Sequence, residues 1–343
     1  MKVLATGTAG YIGTMLAPVF MARGHEVVGL DTGFYNQGWL FHGADGLPRT
    51  LVKDIRDITV DDLRGFDAVV HMAELSNDPL GQLNPTITYK INHEGSVALA
   101  KKAKEAGVER FIYFSSCSVY GVGTDEHKTE ESEVNPQTAY AECKTYVERD
   151  LKVLADDMFS PTFLRNATAF GASPRMRFDI VLNNLSGLAW TTNEIKMTSD
   201  GTPWRPLVHI LDIAKAAACV LDAPREAIHN ETFNVGSTEQ NYRVREIAEI
   251  VAEAFPGCDL SFGSSDGDNR SYRVSFEKIN TQLPGFACDW DAQKGAAQLR
   301  RIFEQVDLSG GDFTSKKYTR LKQLNYLIRT GQIDDSFFWT TAP

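Results

Sequence analysis

The stretch Lys2 to Phe20, KVLATGTAGYIGTMLAPVF, constrains this chain more than any other. Val3, Leu4 and Ala5 form a short apolar run suited to a buried parallel strand. Thr6-Gly7-Thr8-Ala9-Gly10-Tyr11-Ile12-Gly13 follows, and an amphipathic helical pattern begins after it. In that strand-turn-helix order each glycine has a task. Gly7 permits the tight turn, Gly10 lets backbone approach a pyrophosphate, and Gly13 lets the helix lie close on the strand. Unpaired N–H groups around Tyr11 and Ile12, at the helix start, then face the phosphates. A glycine-rich turn also occurs without any ligand, so context decides. His25 to Leu30 reads as a second strand ending in Asp31, close to where a carboxylate bonds the adenosine ribose. Its charge repels a 2′-phosphate, which favours NAD over NADP.

A chain of 343 residues suits two lobes, because domains typically run to about 100 to 200 residues. A net charge of −10, with no basic stripe or tail, argues against nucleic acid or an anionic membrane as partner. An anionic small ligand therefore needs local arginines. Five cysteines without metal spacing or a disulfide framework point to free thiols in a reducing compartment. Seven scattered histidines form no ligand cluster, and no metal is expected. No apolar run approaches the ~18 residues of a membrane span, and a first strand at residue 2 is read as leaving no room for a leader. The expectation is a cytoplasmic protein.

Strand and helix patterns alternate through the first half. Thr50 to Asp57 reads as a third strand with a polar end, where Asp54 either accepts from an adenine amino group beside Ile55 or caps the helix at 60–64. Phe66 to Ala73 is a buried strand whose end, at Met72 and Ala73, should face the cofactor. A helix is expected from about Asn92 to Ala106, a strand from Glu109 to Ser116, and a helix from about Thr138 to Leu154. Tyr140 and Lys144 share one face of that last helix. Such a pair is usually an aromatic rim residue beside a solvated lysine, but this helix follows a strand ending in hydroxyls. Pro161 to Arg165 reads as a sixth strand, after which the alternation stops and residues 166–204 turn irregular and arginine-bearing. Residues 257–273 read as a mobile loop, and the role of the tail 307–343 is left open.

Taken together, TGTAGYIG at 6–13, Asp31, Asp54-Ile55, HMA at 71–73, Asn92-His-Glu-Gly95, SSCSVYG at 115–121, YAECK at 140–144 and WRPLVHILD at 204–212 carry a resemblance. The chain resembles the extended short-chain dehydrogenase/reductases, in particular the nucleotide-sugar epimerase/dehydratase group. The resemblance implies an α/β fold: a Rossmann-type doubly wound parallel sheet with a smaller C-terminal substrate-binding lobe. Residues 1–165 would form the NAD-binding domain, with 206–236 packing back on it, and 166–205 with 237–343 the substrate lobe and tail. It also implies Ser116, Tyr140 and Lys144 as catalytic residues, with Asn92 and Asn166 joining the cofactor contacts. Lys144 and the positive nicotinamide would stabilise the phenolate of Tyr140, whose free pKa of ~10 is too high for a base at neutral pH.

For the substrate, a nucleotide-diphosphate sugar, the resemblance implies Arg205 and either Arg270 or Arg273 near the phosphates. Ser76, Asn77, Ser118, Thr168 and Asn183 are further candidate contacts. Thr168 stands where the family often carries an amide. Dehydratases of the group place Asp and Glu directly after the catalytic hydroxyl; here these are Cys117 and Ser118, so 4-epimerisation gains weight over water elimination. Cys117 is either an acid/base for ring-carbon epimerisation or a buried, inert thiol. Glu74 stands where relatives usually carry a small residue. A homodimer formed through a four-helix bundle of the helices near Asn92 and Thr138 is expected by the same resemblance. The leading expectation is NAD-dependent epimerisation at C4. A net reductase or dehydratase of a 4-keto nucleotide sugar, and an NAD-binding regulator without turnover, are the alternatives.

Overall fold

The structure is a computed structural model and describes residues 1–43, 46–76, 78–123, 126–264 and 270–341. Seven strands, β1 (Lys2–Thr6), β2 (Glu26–Asp31), β3 (Thr50–Val52), β4 (Ala68–His71), β5 (Arg110–Ser116), β6 (Ser160–Asn166) and β7 (Thr232–Val235), form one sheet. Their order is β7-β6-β5-β4-β1-β2-β3, and every pairing is parallel. The chain runs outward one way through β2 and β3 and the other way through β4 to β7. The switch point therefore lies between β1 and β4, where Thr6 sits beside His71, and a ligand crevice is expected outside those strand ends.

Eight helices of ten or more residues occur among the described residues: α1 (Gly13–Ala22), α2 (Ser96–Glu105), α3 (Ala139–Lys152), α4 (Val181–Thr192), α5 (Ile210–Asp222), α6 (Val244–Ala254), α7 (Ala292–Gln305) and α8 (Arg320–Arg329). The first strand is apolar without alternation because both of its faces are covered. Val3 and Ala5, with Val70, Ile112 and Leu164, pack under α1 and α5. Leu4, with Val69, Phe111 and Phe163, packs under α2 and α3. A second core, around Phe178, Leu207, Ile247, Leu299 and Phe303, gathers α4, α6 and α7 into the small lobe.

Three local differences from the sequence reading bear on the site. Residues Tyr89–Gly95 make wide π turns before the regular helix begins, and there Asn92 turns inward to bond Leu75. The helix α7 has no counterpart in that reading. Within the stretch read as a loop, Asp259–Ser261 is a strand paired with Glu194–Lys196.

Candidate active site

The cleft at the switch point encloses about 520 Å³. Its floor is the glycine turn, with Gly7 at φ +79° donating its N–H to the Leu30 carbonyl at 2.7 Å. A Cβ on Gly13 would lie 2.2 Å from the Gly7 carbonyl oxygen, so α1 can start there only with glycine. Gly10, Tyr11 and Ile12 line the cleft between them. Asp31 accepts from the backbone N–H of Ala9 at 3.1 Å and of Gly33 at 2.8 Å, tying the glycine turn to the loop after β2. Burial raises its pKa, against the pull of those bonds and of Arg320 and Arg175.

Asp54 caps the short turn Ile55–Asp57, not the helix at 60–63, which Thr59 and Asp62 cap for themselves. Both of its oxygens are bonded by Arg56, at 2.9 and 2.7 Å, yet Asp54 and Ile55 still line the cleft. The Thr6 hydroxyl fixes the end of β4, accepting the N–H of Met72 and of Ala73 at 3.1 Å each.

At the other end, Thr138 caps α3 by accepting from Ala141 at 3.3 Å while donating to Asp78 at 2.5 Å. That fixes where the first turn begins and so the direction in which Tyr140 leaves it. Tyr140 is hydrogen-bonded to Ser116, and the Lys144 Nζ lies 5.5 Å from the Tyr140 ring centre. All three line the cleft. Lys144 donates to the Phe114 carbonyl and pairs with Glu74 at 2.5 Å, both side chains being almost wholly buried. An ammonium has three donors, so one is left for the cleft. Burial, then the charges of Glu74 and Asp78, push the Tyr140 phenol above its ordinary value, and the bond with Ser116 opposes them.

Glu74 is held by a relay that runs back to β1. Thr6 accepts two N–H groups, so its own proton goes to His71 Nδ1 at 2.7 Å. The ring proton is then on Nε2 and goes to Ser96 at 2.7 Å; Ser96 in turn acts on Glu74, favouring its charged form. Tyr113 donates to the same carboxylate at 2.7 Å. Burial, with Lys144 adding to it, lowers the His71 pKa to about 3, so the ring is neutral. Even with Lys144, Tyr113 and Ser96 acting on it, burial leaves the Glu74 carboxyl above its ordinary range.

Other expected contacts divide into two groups. Ser76, Ser118, Asn166, Thr168, Arg205 and Arg270 line the cleft. Arg270 is paired with Asp78, and Arg205 donates to the carbonyls of Trp204 and Arg270. Cys117 does not reach the cleft: its thiol is 1% exposed in the core, lies 3.1 Å from the Arg165 carbonyl, and is pushed well up by burial. Asn92 spends its amide on the N–H and C=O of Leu75, supporting the cleft wall from behind. Asn183 likewise donates to Tyr11 at 3.0 Å and to the Arg177 carbonyl at 3.0 Å, and it is not among the residues that line the cleft. Arg273 stacks on Trp204, 5.1 Å from its ring centre, outside the cleft. Asn77 lies outside the described residues. Arg177 and Arg320 line the cleft without having been singled out from the sequence.

Residues 3–236 match the family described as NAD dependent epimerase/dehydratase. The chain belongs to that family. Among curated relatives, the UDP-glucose 4-epimerase of Bacillus subtilis is 25% identical over 333 residues, taking in 87% of this chain and 94% of that one. The UDP-glucose 4-epimerase of Corynebacterium glutamicum is 28% identical over 271 residues, 74% and 80% of the two chains. Of solved structures, MoeE5 in complex with UDP-glucuronic acid and NAD has TM-score 0.76 at 26% identity, covering 89% of this chain and 99% of that one. TunA, an NAD-dependent NDP-hexosamine 5,6-dehydratase, has TM-score 0.79 at 21% identity, with 90% and 99% covered, and shares the fold.

The epimerase/dehydratase family depends on NAD, and the residues of this cleft fit that cofactor. Gly10, whose missing side chain lets the backbone approach a pyrophosphate, lines the cleft beside Tyr11 and Ile12 at the start of α1. At the opposite end the Asn166 Oδ1 is buried in the cleft wall with no partner, an acceptor suited to an amide N–H. Among the described residues no group of His, Cys, Asp or Glu could hold a metal ion, and no helix is long and apolar enough to cross a membrane.

Proposed function

We propose that this enzyme epimerises a nucleotide-diphosphate sugar at C4. The observation that carries the reading is the meeting of Ser116, Tyr140 and Lys144 on one cleft with the dinucleotide-type glycine turn. Bound NAD supplies a reversible acceptor for hydride from the sugar carbon. Tyr140 takes the proton of the C4 hydroxyl as that carbon becomes a ketone, and Ser116, bonded to the phenol, orients the same oxygen. Lys144 keeps one donor for the cofactor ribose, its charge being balanced by Glu74, and the positive nicotinamide would favour the phenolate of Tyr140. Once the other face of the keto carbon is turned to the cofactor, the hydride would return to C4 and Tyr140 would return the proton to its oxygen.

Arg205 and Arg270 line the substrate end and suit the sugar diphosphate. Water elimination lacks an acid and a base here: Cys117 is buried away from the cleft, and the Ser118 hydroxyl is a buried group without a partner. The similarity to curated 4-epimerases supports the same choice. The intact set of Ser116, Tyr140 and Lys144 argues against a regulator without turnover.

Incubating the protein with a panel of nucleotide sugars in deuterated water tests this. Interconversion of C4 epimers without added NAD, and without deuterium at C3 or C5, is the expected result; net consumption of NADH or deuterium in the ring would overturn it. We further propose a homodimer through α2, α3 and the π turns before α2. These elements already pack together within the chain, with His93 against Asp150 at 2.7 Å and Tyr89 stacked near Tyr146. A monomeric elution profile would rule it out. The five free thiols accord with a cytoplasmic site of action.

A further inference from the structure

The C-terminal residues leave the small lobe and return to the Rossmann lobe. Gln323 donates to the Phe34 carbonyl at 3.0 Å and Trp339 to the Thr32 carbonyl at 2.7 Å. Arg56 donates to the carbonyls of Ser336 and Phe337 and stacks 3.7 Å from the Phe338 ring centre. Leu324, Leu327, Ile333 and Phe337 close a small core with Phe34, Leu75, Ile87 and Ile91. These contacts seat α8 on the loop after β2, and its first residue, Arg320, lines the cleft.

Arg320 differs from every other cation there. It is 3% exposed, lies 4.3 Å from the Tyr35 ring centre, and makes no side-chain hydrogen bond to a described residue. Arg177, beside it, is paired with Asp179 at 2.8 Å and donates to Ser76 at 3.1 Å. The carboxylates that act on Arg320 at longer range are engaged elsewhere, Asp31 with the N–H of Ala9 and Gly33, Asp179 with Arg177. The backbone of Arg177 is tied through Asn183 to the Tyr11 hydroxyl, while the charge of Arg320 acts on Asp31, the carboxylate that accepts from Ala9 in the glycine turn, and both guanidiniums line the cleft with Gly10, Tyr11 and Ile12. A buried guanidinium with its five donors uncommitted is costly unless an anion meets it, and its planar fork matches two phosphoryl oxygens.

We propose that Arg320 binds the pyrophosphate of NAD together with the N-terminus of α1, so that the tail takes part in holding the cofactor. The proposal rests on the reading of the cleft as an NAD site. The 2′ position of the adenosine ribose is the competing target, but it falls to Asp31, whose charge disfavours a phosphate there.

Calorimetric titration of the full-length chain with NAD, ADP-ribose, adenosine and NADP tests it without any sugar substrate. In Arg320→Met the affinities for NAD and ADP-ribose, which both carry the pyrophosphate, fall about 10- to 100-fold, and that for adenosine does not change. Arg320→Lys, which keeps the charge but loses the fork, falls by a smaller factor and carries the test if Arg320→Met does not fold. Equal losses for adenosine and NAD, no loss for NAD, or a loss confined to NADP would each overturn the proposal. Failure of the unaltered protein to bind NAD would overturn the cofactor reading along with it.

Discussion

Lys144 and Arg320 are both buried cations on one cleft, and the fold surrounds them in opposite ways. Lys144 sits at the end with Tyr140, with a carboxylate at 2.5 Å and a carbonyl that also accepts from it. Arg320 sits at the end with Asp31 and, among the described residues, has an aromatic face and distant charges only. A paired cation is held in one place and its field is largely spent on its partner. An unpaired one keeps its field for whatever enters. The first arrangement suits a group that must be positioned to within a fraction of an ångström beside a reacting phenol. The second suits recognition of a diphosphate that arrives with its own charge. On the proposed reading the cleft combines a rigid chemical end and an electrostatically open binding end, and the groups that surround Lys144 and Arg320 lie far from them along the chain.

The sharpest way to break this division is Tyr140→Phe. If chemistry is confined to the Lys144 end, removing the phenolic oxygen lowers kcat by roughly a thousandfold, within the range for loss of general acid-base catalysis, while NAD affinity stays unchanged. Steady-state kinetics beside calorimetry measures both. A parallel fall in cofactor affinity would mean that the two ends are not separable.

A smaller effect is expected from Glu74→Gln, which keeps the shape but leaves Lys144 without its counter-charge. Removing one member of a buried ion pair costs about 3 kcal/mol or more, read as a lower urea midpoint. The sign of the kinetic effect follows from electrostatics. Glu74 is the chief charge that holds the Tyr140 phenol up, so neutralising it lowers that pKa and moves the acid limb of the kcat/KM profile to lower pH. An acid limb that stays in place would show that Glu74 does not reach the phenol.

The glycine turn and the Tyr140–Lys144 pair are legible in the sequence because their signals are local. Three glycines between a strand and a helix, an acid at the end of the next strand, and a tyrosine and lysine one helical turn apart are each readable within a few residues. The surroundings that local sequence does not show are those of residues whose partners lie far along the chain. Asn92 belongs to a recognisable stretch, but its amide is consumed by Leu75, and Asn183 is consumed by Tyr11 and Arg177. Arg177 stands in an irregular, arginine-bearing stretch with no pattern that marks it. Arg320 gives no local sign at all, because its place depends on the tail crossing back to Phe34 and Arg56. The helix α7 escaped because its buried stripe includes Gly295, a poor helix former that the Phe170 ring requires to be small.

The finest test of the comparison concerns how the paired end is kept in register. Glu74 is reached from β1 through Thr6, His71 and Ser96, and the chain of donors requires a neutral imidazole. Burial holds His71 at about 3, against an ordinary value of 6.5, so between these values the unfolded chain binds a proton that the native one refuses. Stability therefore rises with pH across that window and is lost as pH falls through it. From pH 7 to pH 4.5 this one ring accounts for about 2 to 3 kcal/mol, at ~1.4 kcal/mol per pH unit. His71→Gln has nothing to titrate at this position, so although its stability at pH 7 is lower, its urea midpoint should fall less steeply on acidification than that of the unaltered protein. Parallel curves for the two proteins would mean that the ring accepts a proton within the native fold, and that the carboxylate facing Lys144 is held by Tyr113 and the lysine without the relay.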